Sequence, residues 1–269
     1  MGPVSQTRIT RGYLAGPNGQ LHYRCCGEGK PLLLLHQSPL SSTQFIAVMP
    51  ALADAGYAVV ALDLPGFGNS DPPQQPVALE QYRDAAAAAL SHFGWPRADI
   101  VGHHTGAVVG ALLANAWPQR VQRLVLNGFP LLTDAERAHF ATFYLGKPPV
   151  AEDGSHLLKA WQNRLRSSPG WSDLALMNRY CIEALYSSET NWMAFSLIVN
   201  ADLSSLLRAL TVPTLLLTNT GEDLYAATIR ARGLRPDFFA YAELAGGNHD
   251  IVDQQPLEWV AAVTAFLQG

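Results

Sequence analysis

Ile100-Val101-Gly102-His103-His104-Thr105-Gly106 is the stretch on which the fold turns. A short apolar segment runs into two glycines separated by three residues. A small-residue run from Ala107 to Gln119 follows and reads as a helix. Glycine tolerates the tight turn and lets a strand and a helix pass closely.

The same rhythm extends outward. Thr10 to Ala15 and Leu21 to Cys26 flank Pro17-Asn18-Gly19, a hairpin signal. Pro31 to His36 is a continuous apolar run, as in a strand buried on both faces. Ser41-Ser42 can cap a helix reaching about Ala55. Tyr57 to Asp63 reads as a strand, followed by the Gly/Pro-rich loop Leu64 to Asp71. Ala78 to Phe93 reads as a helix stopped by Gly94, and Val121 to Asn127 as a strand. From about Leu131 to Leu207, amphipathic helical stretches such as Ser155 to Arg166 and Leu174 to Leu185 replace strands. The alternation then resumes with strand Pro213 to Leu217 and helix Tyr225 to Arg232. Strand Phe238 to Leu244 and helix Leu257 to Leu267 follow. Alternation of this kind predicts an α/β fold, a mostly parallel sheet covered on both faces. Ligands then bind beyond the carboxyl ends of the strands. The expected organisation is a core over 1–130 and 208–269, with a helical lid over 131–207.

The chain has 269 residues, 48% apolar and 15% charged, with a net charge of −4. That suits one compact domain with buried strands. Without a basic block, nucleic acid and acidic membranes are poor partners. Three cysteines, two of them the adjacent Cys25 and Cys26, make no disulfide framework and fit a reducing cytosol. Met1 to Thr10 is polar and lacks a signal core. No apolar run reaches the ~18 residues of a membrane helix. The expectation is a cytoplasmic protein acting on a small molecule. Whether the chain pairs with a second copy as a homodimer stays open.

Four motifs together resemble the α/β-hydrolase family: His36-Gln37-Ser38-Pro39, Asp63 to Ser70, the Gly102–Gly106 turn, and Gly246-Gly247-Asn248-His249. The likeness covers the chain outside the lid. It implies that Gly102–Gly106 is a nucleophile elbow, with the acid and then the histidine following it in chain order. Two positions depart from the pattern. The elbow centre is His104 where the family has serine, and Gln37 follows His36 where the family has glycine.

The resemblance implies a role for each remaining candidate. Aligning Pro213–Leu217 with the family's acid-bearing strand puts Glu222 at the catalytic acid, with Asp223 beside it. The alternative acid position falls near Asn127, which carries no charge. His249 is the expected base, oriented by Glu222 or Asp223. His104 is open to three readings: a nucleophile forming an acyl-imidazole, an acid or base sharing protons with His249, or a relic in a binding protein. The backbone N–H groups of Thr105 and Ser38 are expected to form the oxyanion hole. The Thr105 side chain is expected to turn toward its helix, and Gln37 to block the hole or read the ligand. Trp161, Tyr180, Trp192 and Phe195 are candidates to line an apolar or aromatic pocket in the lid. His36, His104, His249 and Glu222 could be imagined around a metal, but the fold already explains them and no metal motif appears. The chain is therefore expected to need no metal and no other cofactor. The reading that follows is hydrolysis of an ester, lactone or amide. A C–C lyase or isomerase using an enolate hole, and a non-catalytic ligand receptor, are the alternatives.

Overall fold

In a computed structural model, residues 8–142 and 149–269 are described. Part of the polar N-terminus and six residues of the predicted lid lie outside them. Eight strands form one sheet in the order β1-β2-β4-β3-β5-β6-β7-β8. They are β1 Thr10–Gly16, β2 Gly19–Cys26, β3 Lys30–Leu35, β4 Tyr57–Leu62, β5 Ala98–His103, β6 Val121–Asn127, β7 Thr214–Asn219 and β8 Phe239–Leu244. The β1–β2 hairpin and the β2–β4 pair are antiparallel, and every pairing from β4 through β8 is parallel.

The reason lies in the strand sequences. Leu32 to Leu35 of β3 are all fully buried, and alternate residues serve opposite faces. Leu33 and Leu35 pack with Leu90, Val108 and Ala111, from helices α2 Leu79–His92 and α3 Thr105–Ala116. Leu32 and Leu34 pack with Leu52, Trp259 and Val263, from helices α1 Met49–Asp54 and α11 Pro256–Gln268. Each such leucine contributes about 1.5–3 kcal/mol relative to an exposed one, so the central strands pin the sheet between its two helical layers.

The helix expected from Ser41 to Ala55 is broken in two. Ser41 caps a short 3₁₀ turn, Ser42–Phe45, through the Thr43 N–H. α1 then starts afresh at Met49 with Pro50 in its first turn. Proline has no N–H to continue a preceding helix but suits the start of a new one.

Between β6 and β7 lie helices α4 Asp134–Ala141, α5 Ser155–Ser167, α6 Leu174–Tyr186, α7 Asn191–Asn200 and α8 Leu203–Arg208. Buried or half-buried polar links, among them the following, fasten this insertion to the core. Arg164 reaches Asp250 at 2.5 Å. The Tyr180 hydroxyl donates to Asp253, and the Thr43 hydroxyl donates to Glu183. Helices α9 Tyr225–Gly233 and α10 Ile251–Gln254 complete the chain. Among the described residues, no helix is long and apolar enough to cross a membrane.

Candidate active site

The elbow is built from close backbone approach. A Cβ on Gly106 would strike the Leu35 carbonyl, and one on Gly102 would strike the Gly106 carbonyl. Larger residues would therefore push α3 away from β3 and β5. Between the two glycines, His104 sits at φ 47°, ψ −105°. It is the only non-glycine residue at positive φ among those described. Such backbone costs about 1–3 kcal/mol and gathers at functional sites. Its side chain is 15% exposed, and it stands at the parallel strands' carboxyl end.

Glu222 comes to His104, not to His249. Its Oε2 lies 3.0 Å from His104 Nε2, with the carboxylate fully buried. The other oxygen accepts the Thr218 hydroxyl at 2.6 Å. A carboxylate can only accept here, so Nε2 carries a proton, and in the neutral ring Nδ1 keeps its lone pair. Among the described residues, Nδ1 has no hydrogen-bonding partner. The pairing differs from the sequence expectation because the turn after β7 carries Glu222 to the β6 side of the site. There Gly128, at φ +62°, leaves room for both groups. A Cβ on it would come within 2.5 Å of His104 Nε2 and 2.9 Å of Glu222 Oε2.

His249 has a different set of neighbours. Arg164, from the inserted α5, donates from Nη1 to His249 Nε2 at 3.1 Å and from Nη2 to Asp250. Nε2 is thus an acceptor, and Nδ1 faces Asp223 Oδ2 at 3.8 Å. Burial pushes the His249 imidazolium below its ordinary range. Asp250 opposes that, and the charge of Arg164 adds to it. Asp250 stays ionised: burial raises its carboxyl, but His249, Arg164 and the Ser168 hydroxyl together hold it below the usual value. Asp253, in α10, behaves oppositely. Burial pushes it up to about 7 against the Tyr180 hydrogen bond, with Asp250 adding repulsion.

The remaining candidates fall into place around these two histidines. Gln37 is buried, and its amide donates to the His249 carbonyl at 3.2 Å and to Asp250 at 3.3 Å, so it braces the histidine loop. Thr105 does not turn its side chain along the helix. Its Oγ1 accepts the Ser38 N–H at 3.3 Å and lies 2.8 Å from Ser38 Oγ. The two loops are near neighbours, because the Gly106 N–H also bonds the His36 carbonyl. Tyr180 carries the Arg164 guanidinium 5.0 Å from its ring centre and that of Arg179 at 5.2 Å, so it supports Arg164. Phe195 packs near Leu132, Val199 and Leu224, in a small apolar cluster two residues beyond Glu222. Trp192 is half-buried and donates to the Glu189 carbonyl, and Trp161 is half-buried on α5. Asn127 accepts the Trp259 indole N–H at 2.7 Å, a structural bond. A cavity of about 400 Å³ between Ile46 and α6 includes Arg179 and Asp253 and none of the groups around His104.

His103, His104 and Glu222 place one ligand atom each within 4.8 Å of one another. Their wiring does not suit a metal. The Gln37 N–H donates to Gln44 Oε1 at 3.0 Å, so the Gln44 amide nitrogen must donate to His103 Nδ1. The proton of neutral His103 therefore sits on Nε2, the nitrogen left to face a metal. Full burial holds His103 well below its ordinary range, so it is neutral. His36 is likewise committed: its Nε2 accepts the Leu64 N–H at 3.0 Å.

Residues 30–224 match the family described as alpha/beta hydrolase fold, and the chain belongs to that family. It is 31% identical over 133 residues to bifunctional epoxide hydrolase 2 of Rattus norvegicus, covering 48% of this chain and 24% of that protein. It is 34% identical over 131 residues to the soluble epoxide hydrolase of Corynebacterium sp. (strain C12), covering 48% and 45%. A haloalkane dehalogenase of Mycolicibacterium paratuberculosis is 33% identical over 130 residues, covering 46% and 42%. The chain thus spans less than half the length of these relatives. In overall fold it is similar to the enol-lactonase of Burkholderia xenovorans LB400, with a TM-score of 0.79, 19% identity, and 96% and 100% of the two chains covered.

Proposed function

We propose that this chain is a hydrolase of small, apolar or aromatic esters, lactones or amides, with His104 as the base that activates water. The observation that carries the reading is the buried Glu222 carboxylate on His104 Nε2. It leaves Nδ1 as a fixed, unshared lone pair at the mouth of the elbow. Water gives a proton to Nδ1 and attacks the carbonyl, and Glu222 stabilises the imidazolium that forms. The Thr105 N–H lies in the first turn of α3, where backbone donors have no partner inside the helix. It and Ser38 hold the oxyanion. The imidazolium then returns its proton to the leaving group. The insertion acts as a lid, and the cluster around Phe195 and Leu224 receives the apolar part of the substrate. The relatives' names, epoxide hydrolase among them, support water as the second reactant.

The test is a panel of activated esters, lactones and amides, extended by an epoxide, a haloalkane and a β-diketone. The native chain is compared with His104→Ala and Glu222→Gln. His104→Ala should abolish turnover. Glu222→Gln should lower kcat by about 10²–10⁴ with little change in KM. Undiminished turnover by either variant sinks the proposal. Cleavage of the β-diketone alone would move the chain to the C–C lyases.

A further inference from the structure

Thr105 is buried and Ser38 is half-buried. Thr105 Oγ1 accepts the Ser38 N–H at 3.3 Å, and the only other group within reach, among the described residues, is Ser38 Oγ at 2.8 Å. A hydroxyl has one proton to give. For the buried Thr105 hydroxyl to be satisfied, it gives that proton to Ser38 Oγ. Two consequences follow. The Ser38 N–H is already spent on Thr105. The Ser38 hydroxyl, accepting from Thr105, has its own proton free, since no other partner of Ser38 Oγ is found among the described residues.

We infer that the donor on the Ser38 side of the oxyanion pocket is the Ser38 hydroxyl, primed by Thr105, and not the Ser38 N–H. The chain of donors runs from the Ser38 N–H to Thr105 Oγ1, on to Ser38 Oγ, and from there to the substrate oxygen. Each link polarises the next. Ser38 is thus a catalytic residue through its side chain, and Thr105 is a positioning residue as well as a backbone donor. This rests on the proposed carbonyl hydrolysis. The arrangement suits an oxygen that changes from neutral carbonyl to anion, because the hydroxyl can rotate to follow it.

The test uses the full chain with Ser38→Ala, Thr105→Val and Thr105→Ser, and two readouts. The first is the split between kcat and KM on any substrate of the panel. Ser38→Ala should lower kcat by about 10²–10³ with KM within about twofold. Thr105→Val should lose part of that, and Thr105→Ser should recover most of what valine loses. The second is titration with 4-nitrophenolate, whose visible absorbance reports hydrogen bonding to its oxygen. Ser38→Ala should bind it at least about tenfold more weakly and without the spectral shift of the native protein. Full activity in Ser38→Ala, with Thr105→Val equal to or faster than native, would assign the role to the freed N–H and overturn the inference. If nothing in the panel is turned over, the hydrolase reading fails, and the phenolate titration decides alone. Equal affinity and spectrum in the native chain and Ser38→Ala overturn the inference.

Discussion

Replacing Asp253 with asparagine removes a charge that the fold otherwise has to bury. The Tyr180 hydroxyl donates to the Asp253 carboxyl, and an asparagine carbonyl can accept the same bond. Burial, with repulsion from Asp250, pushes the carboxyl from its ordinary 3.8 up to about 7. The folded protein holds this proton more tightly than the unfolded chain does. Its stabilising contribution is therefore complete below about pH 3.8 and is lost as the pH rises through 7. Three pH units at about 1.36 kcal/mol each give about 4 kcal/mol lost across that window. The Asp253→Asn variant has no such proton. Urea unfolding of both proteins, followed by far-UV circular dichroism, should show the variant gaining on the native chain between about pH 4 and pH 8.5. The gap should widen by about 4 kcal/mol. Parallel stability curves over that range would refute the burial of this carboxyl, and with it the account of how α6 is fastened to the core.

Arg164→Met removes a cation from the His249–Asp250 pair and should destabilise by about 3–5 kcal/mol in urea, with most recovered when Asp250→Asn is added. In the same variant, the His249 imidazole should titrate higher than in the native chain, read by NMR, because Arg164 is one of the charges that lowers it. Gly128→Ala should keep the sheet, cost about 1–3 kcal/mol at its positive φ, and separate His104 from Glu222. Its circular dichroism should stay native-like while turnover falls toward that of Glu222→Gln.

The sheet was legible because its signals are local. Leu32 to Leu35 are apolar without a break, and Gly102 and Gly106 frame a turn that few other residues permit. The register of β7 also located Glu222. What the sequence could not show was the direction a side chain takes once two loops meet. Glu222 lies far closer to His249 than to His104 along the chain, yet the space above Gly128 gives it to His104. An Asn-Gly pair at the end of β6 was the available hint. Arg164 was invisible for another reason. On an amphipathic helix, an arginine reads as a solvated charge, and only packing across 85 positions of chain brings it to His249. Proline at the start of α1 was the signal that should have split the Ser41–Ala55 helix.

The wiring of His104 also bears on how this site could be re-engineered. Installing serine at the elbow would supply a hydroxyl at the usual place, but it would strand the Glu222 carboxylate in its pocket with only Thr218. The serine would find no ready base either, since Nε2 of His249 is occupied by Arg164. A working serine enzyme would need Glu222 neutralised and Arg164 withdrawn in the same step. Serine at position 104 alone, or the loss of Arg164 alone, leaves a buried carboxylate without its partner. The present arrangement is thus separated from the serine form by a valley, and a library of single substitutions at position 104 should yield folded proteins without serine-type activity.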